Sequence, residues 1–265
     1  MKRILFLIIS LTIISLSFNA CKSNSTSPQN TTGPGSSYYP NGDGTYYKYS
    51  LVRTDSNNAQ SQNGTRSTTY SGTTLYGSAT YQNEIDTISF GNFSTTSTSL
   101  FVKNNNGVYF AIDTAGLSRT IPDSLKQYLQ IDAQISAFQF PFQDGGSWPV
   151  FNLSLKEGAI TFNLVKVMAY YKGIEQIPLN LTTGTVTKSA AKVQYVLTLS
   201  IPNLSNPFAP PTTSNFIAYV WLVDNIGVAQ MQGNGTILDA FSGGGINFAD
   251  TTSNVTQNLI YYNVK

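Results

Sequence analysis

"FNLSLKEGAITFNLVKVMAYY", Phe151 to Tyr171, decides the fold class. Phe151, Leu153 and Leu155 alternate with Asn152, Ser154 and Lys156, a period of two. Successive side chains of an extended chain point to opposite faces, so this stretch reads as a strand with one apolar face. Glu157-Gly158 then breaks the run, and "AITFNLVKVMAYY" resumes it. Two strands joined by a short Gly turn read as a β-hairpin.

The pattern spreads outward from there. "AKVQYVLTLSI", from Ala191, puts Val193, Tyr195, Leu197 and Leu199 on one face. "NFIAYVWLV", from Asn215, is almost continuously apolar, as a strand covered on both faces would be. "NLIYYNVK" ends the chain as a last strand. Charged residues are only 11% of the sequence, a composition that suits sheets better than helices.

One segment departs from the period. In "IPDSLKQYLQIDAQISAF", Asp123 or Ser124 is a plausible N-cap, and Leu125, Tyr128, Leu129 and Ile135 follow at helical spacings. This predicts one helix near Ser124–Ser136, with Leu125, Leu129 and Phe138 turned towards the sheet. The Pro-rich "IPNLSNPFAPPTTS", from Ile201, is expected to be a surface loop. The resulting expectation is a mainly β, single antiparallel domain over residues 38–265, a curved open sheet or partial barrel with one helix against it. A two-sheet β-sandwich is the alternative. An open sheet would leave an apolar pocket lined by Val165, Val167, Val196 and Val220; a sandwich would interlock the same residues.

The chain also echoes itself. "YPNGDGTYYKYSL" begins at Tyr39 and "FPFQDGGSWPVFNLSL" at Phe140. Both read aromatic, Pro, a polar stretch with Asp and Gly, an aromatic, then a strand. The same device used twice fits either two similar sheet halves or chance, and two copies are too few for a solenoid.

At the other end, Lys2 and Arg3 precede the apolar run Ile4 to Leu16, followed by Ala20 and the sole cysteine, Cys21. The run is shorter than the roughly 20 residues a transmembrane helix needs. A basic start, a short apolar run and a small residue are the parts of a secretory signal. With a cysteine at the cleavage point, the segment resembles that of bacterial lipoproteins. The resemblance implies removal of residues 1–20 and lipidation of Cys21; Ser23 to Ser37 lacks any residue that could anchor a core, so 21–37 reads as a lipidated flexible tether. Lys22, where inner-membrane lipoproteins often carry Asp, implies the outer membrane, and the lack of an acidic cluster after Cys21 implies a periplasm-facing protein. The two openings, with "WLVDNIGVAQMQG" from Trp221, resemble uncharacterised β-rich envelope lipoproteins, a likeness that transfers no catalytic residue.

Composition excludes several chemistries. Of 15 Lys and Arg against 13 Asp and Glu, Lys2 and Arg3 leave with the signal, so the mature chain has 13 of each. A neutral domain has no electrostatic footprint for nucleic acid. With no histidine, Ser-His-Asp and Cys-His catalysis are absent. No cofactor or metal site is expected, and the protein reads as non-enzymatic. Glu84 and Asp86 stand two apart on one strand face, where a carboxylate pair could serve a hydrolase or Ca²⁺, but a solvated strand face is the plainer reading. The remaining signal is aromatic. Tyr46, Tyr47, Trp148 and Trp221 are candidate ligand contacts. The partners expected are the membrane, through the lipid anchor, and an apolar or envelope-derived ligand, with a surface glycan-binding or adhesive role as the alternative.

Overall fold

The computed structural model describes residues 35–55, 60–112, 126–158, 160–201, 210–241 and 252–265. They fall in one compact unit, Thr32–Lys265. The strands are β1 (Tyr46–Asp55), β2 (Ser61–Tyr76), β3 (Ala79–Phe90), β4 (Phe93–Asn104), β5 (Gly107–Ala111), β6 (Leu129–Ile131) and β7 (Gln134–Gln139). They continue with β8 (Ser147–Glu157), β9 (Ile160–Leu181), β10 (Gly184–Ile201), β11 (Thr212–Val223), β12 (Gly227–Asn234) and β13 (Ser253–Asn263). A six-residue helix, α1 (Gly235–Ala240), lies between the last two.

These strands form one antiparallel sheet in the order β6-β8-β9-β10-β11-β12-β13-β1-β2-β3-β4-β5-β7. Laid flat, its twelve gaps would span about 58 Å at the usual strand spacing. Yet the two edge strands are consecutive in the chain: β6 ends at Ile131 and β7 starts at Gln134. Three Cα steps reach at most about 11 Å. The sheet must therefore roll until its edges nearly meet, and among the described residues no hydrogen-bonded ladder closes it. This is the curved open sheet that the alternating sequence predicts.

The order also explains the sequence echo. Strands β1 to β5 form one meander and β8 to β12 another. Strand β13 joins β12 to β1, and the broken strand β6–β7 joins β5 to β8. The two openings match position by position at a constant offset of 101 residues. Thr45 N–H donates to Gly42 O at 3.0 Å, and Gly146 N–H to Gln143 O at 2.8 Å. Gly44 and Gly145 both take positive φ, +80° and +73°. Tyr70 N–H donates to Thr45 O at 3.0 Å, and Tyr171 N–H to Gly146 O at 2.9 Å. One turn, with glycine where the left-handed backbone demands it, feeds the first strand of each half.

Strands β9 and β10 are long enough to do two jobs. Gly173 adopts φ +94° in mid-strand, opposite a bulge between Ala191 and Val193. A bulge bends its strand, and the arm beyond it returns over the outer face of the sheet. There Ile177 and Leu179 are buried, and Thr182 N–H donates to Ile260 O at 2.9 Å.

Among the described residues the interior is filled rather than hollow. Tyr195 of β10 is fully buried, and its hydroxyl donates to Ala137 O of β7 at 2.7 Å, across the roll. Its ring lies 4.8 Å from Phe241 and 6.5 Å from Phe138. Tyr39 meets Phe101 at 5.7 Å and Phe138 at 5.7 Å. The cavities lined by Tyr39, Arg66 and Glu84, and by Val150, Val167 and Leu197, hold about 20 Å³ each, space for about one water molecule.

Two expectations are corrected. Of the segment read as a helix near Ser124–Ser136, Lys126 is helical, but Leu129–Ile131 and residues 134–136 are strand, in β6 and β7; Ser124 and Leu125 lie outside the described residues. Leu129 and Ile131 also fit a period of two, and pairing with Leu155 and Leu153 of β8 selects that reading. The helix is instead α1, where Asn234 Oδ1 accepts from Thr236 N–H at 3.1 Å and Ile237 and Leu238 are buried. The apolar pocket expected over Val165, Val167, Val196 and Val220 does not form among the described residues. Val165, Val167 and Val220 are packed into the core, while Val196 lies on the opposite face of β10 from buried Tyr195 and Leu197. Most of the Pro-rich segment, residues 202–209, lies outside the described residues.

Candidate functional site

Two places concentrate chemistry. The first is inside. Arg66 on β2 is 2% exposed, Glu84 on β3 is 2% and Asp86 0%. These side chains share the inward face because β2 pairs with β3 in a register that sets Thr68 against Asp86 and Tyr70 against Glu84. Arg66 grips Asp86 in bidentate fashion, Nε to Oδ1 at 2.8 Å and Nη2 to Oδ2 at 3.0 Å. Nη2 also reaches Glu84 Oε1 at 3.2 Å and Phe241 O at 3.2 Å. Thr68 Oγ1 donates to Asp86 Oδ1 at 2.5 Å, and the Tyr39 hydroxyl donates to Glu84 Oε2 at 2.6 Å.

One cation faces two carboxyls in a buried interior, so both cannot be charged without leaving a net buried charge. Burial, and then the charge of Asp86, push Glu84 up to about 8, against the opposing pull of Arg66 and Tyr39. Burial opposes the charge on Arg66, but Asp86 and Glu84 outweigh it and its pKa is raised. The plain reading of Glu84 and Asp86 as a solvated face is thus corrected: they are core residues. Arg66 gave no motif of its own. Its signal was alternation, since "RSTTY" puts Arg66 on the face of Tyr70.

The second place is on the surface, at the opening of the second half. Gln139, Phe142, Gln143, Ser147, Trp148 and Tyr171 line much of a cleft of about 260 Å³. Phe142 is half-buried; its ring lies parallel to that of Tyr171, 5.1 Å away and tilted by only 7°, and 6.3 Å from Trp148. Trp148 Nε1–H donates to Ser136 O at 3.0 Å, which fixes the indole. Trp148 and Tyr171 are themselves buried, so the rings back the cleft mainly through the half-buried Phe142, and the exposed amides of Gln139 and Gln143 with the Ser147 hydroxyl form much of its open lining.

Of the candidate aromatics, the structure brings only Trp148 to this cleft. Tyr47 is buried, and its hydroxyl donates to Pro40 O at 3.3 Å. Trp221 is buried under the β9–β10 arm, where its Nε1–H donates to a Glu175 carboxylate oxygen and Lys192 Nζ lies 4.8 Å over the ring. Tyr46 is half-buried beside Tyr261, 6.1 Å away. Cys21 lies outside the described residues. Phe142, which sequence reading passed over as a candidate contact, and Tyr171, of the tyrosine pair Tyr170-Tyr171, owe their position to the second copy of the repeated turn.

No family model matches the chain, and no curated protein matches it in sequence. Among solved structures it is similar to a Bacteroides fragilis protein described as exported and YmcC-like in fold, at TM-score 0.41 and 12% identity over 85% of this chain and 98% of that one. A Parabacteroides distasonis protein described as a lipoprotein follows at TM-score 0.38 and 12% identity, over 85% and 98%. The hypothetical lipoprotein YmcC of Escherichia coli follows at 0.31 and 12%, over 82% and 84%. Likeness at this level says nothing about what this chain binds.

Proposed function

We propose that the chain is an exported, non-enzymatic lipoprotein, anchored through Cys21 at the periplasmic face of the outer membrane, that binds a polar, envelope-derived ligand at its surface. The observation that carries this reading is the filled interior beside an open external cleft. The interior cavities of about 20 Å³ among the described residues admit one water each and no acyl chain, which speaks against an apolar-ligand carrier built from these residues. The structure also weighs against a carboxylate-dependent hydrolase, because Arg66 holds both Glu84 and Asp86 and both are buried. The anchor rests on Lys2, Arg3, the apolar run, Ala20 and Cys21.

Labelling cells with a fatty acid tests the anchor. Wild type should take up label, and Cys21→Ala should not and should accumulate as an unprocessed precursor; label in the variant would contradict it. For the surface role, full-length protein purified from membranes should co-sediment with insoluble envelope polysaccharide. Failure to co-sediment, with a stoichiometric apolar ligand recovered on organic extraction, would favour a carrier instead.

A further inference from the structure

The two halves use the same turn, and they treat it differently. In the first half it is closed. Asn41 Nδ2 donates to Gln82 Oε1 at 2.6 Å, and Gln82 Nε2 returns a bond to the Asn41 carbonyl. Gly42 has the backbone of Lys265 against it, so close that a Cβ would lie 2.2 Å from Lys265 O. Lys265 N–H in turn donates to Thr45 Oγ1 at 3.0 Å. In the second half, the position of Asn41 is taken by Phe142 and that of Gly42 by Gln143. Gln143 is exposed, and the cleft of about 260 Å³ stands open in front of it. The turn does not require a cleft, since among the described residues its twin is closed by the Asn41–Gln82 pair and Lys265.

The backbone around the cleft is held on several sides. Tyr171 N–H is tied to Gly146 O, Gly146 N–H to Gln143 O, and Phe140 N–H donates to Asn106 O at 2.8 Å. Gly35 packs on Phe140 from behind, and Tyr38 lies 5.4 Å from Phe142. A site held this way does not have to be ordered when a ligand arrives.

We infer that this cleft binds one pyranose ring of a saccharide. The inference rests on the surface-binding reading above and gives it a site and a ligand class. A pyranose has one face rich in C–H groups and a rim of hydroxyls. The half-buried ring of Phe142, backed by the buried Trp148 and Tyr171, offers a partner for the first. Gln139, Gln143 and Ser147 offer donors and acceptors for the second, without charge. The volume falls just below the roughly 300–1,000 Å³ of pockets for drug-sized ligands, which fits a single ring better than a chain. The sugar could be the headgroup of a membrane glycolipid or a unit of a free polysaccharide. From Cys21 to Gly35 the chain makes fourteen steps, so an anchored protein could present the cleft no more than about 50 Å from its acyl chains.

The test is saturation-transfer NMR on the full-length protein in detergent, with methyl glucoside, galactoside and mannoside as probes. At least one probe should show transfer to its ring protons. Gln143→Ala, an exposed change that leaves the fold intact, should weaken it about fivefold, the loss of one hydrogen bond. Phe142→Ala should abolish it, with circular dichroism confirming the native sheet. Binding unchanged in both variants would overturn the cleft while leaving surface recognition standing. Binding of no pyranoside, with no co-sedimentation on envelope polysaccharide, would overturn both. Vesicles carrying a glucosyl diacylglycerol, set against plain vesicles with a free glucose disaccharide, separate the two sources. Competition by either supports the cleft, and competition by neither overturns it.

Discussion

At the scale of single residues, the buried Arg66 cluster governs stability. Removing Arg66 would leave two carboxyls in the core with no cation. Arg66→Ala should therefore destabilise the protein by about 3–5 kcal/mol, measured by urea unfolding. Glu84 makes a separate prediction about pH. Folded, it keeps its proton up to about 8; unfolded, it loses it near 4.5. Between those values the folded state holds more protons, so stability falls as pH rises through this window. The neighbouring Tyr39, Tyr47, Tyr49 and Tyr70 are all raised by burial and stay neutral there. Glu84→Gln should flatten this slope, read from melting temperatures at pH 5 to 8. An unchanged slope would mean that Glu84 is ionised in the folded protein. None of this was visible in composition. Glu84 and Asp86 were seen to share a face, but which face depended on a pairing register with β2 that a single strand does not reveal.

At the scale of elements, alternation was the reliable signal and short segments were the weak one. The run from Phe151 to Tyr171 is strand on both sides of its turn, as its period of two required. Leu129 and Ile135 misled because an isolated stretch of apolar and polar residues fits both a helix and two short strands. The choice was made by the edges of β5 and β8, which each needed a partner. Helix α1 escaped because six residues are too few to show a 3.6-residue period. The bend at Gly173 was likewise hidden within an apparently continuous strand. Its positive φ leaves open space around a Cβ, so substitution would strain the backbone rather than clash. Gly173→Val should cost about 1–2 kcal/mol. It should also loosen the arm over Trp221, seen as a red shift of indole emission. Unchanged emission together with unchanged stability would show that the arm does not depend on the bend.

At the scale of the whole molecule, the repeated openings at Tyr39 and Phe140 carried more than the sequence alone could support. They mark two meanders of one rolled sheet, joined by β13 on one side and β6–β7 on the other. Rolling brings Tyr195, Phe138 and Phe241 together and fills the middle. What is left for recognition is the outside, where the second turn stays open. The proposed lipid anchor and the filled interior of the described residues make one joint prediction. Native mass spectrometry of the full protein, purified from membranes and freed of detergent in the gas phase, tests it in one spectrum. The expected mass is that of the chain from Cys21 onward plus covalently bound acyl groups, unchanged on denaturation. A larger native mass that falls on denaturation, releasing an apolar molecule, would contradict the solid interior, and a chain without acyl groups would contradict the anchor.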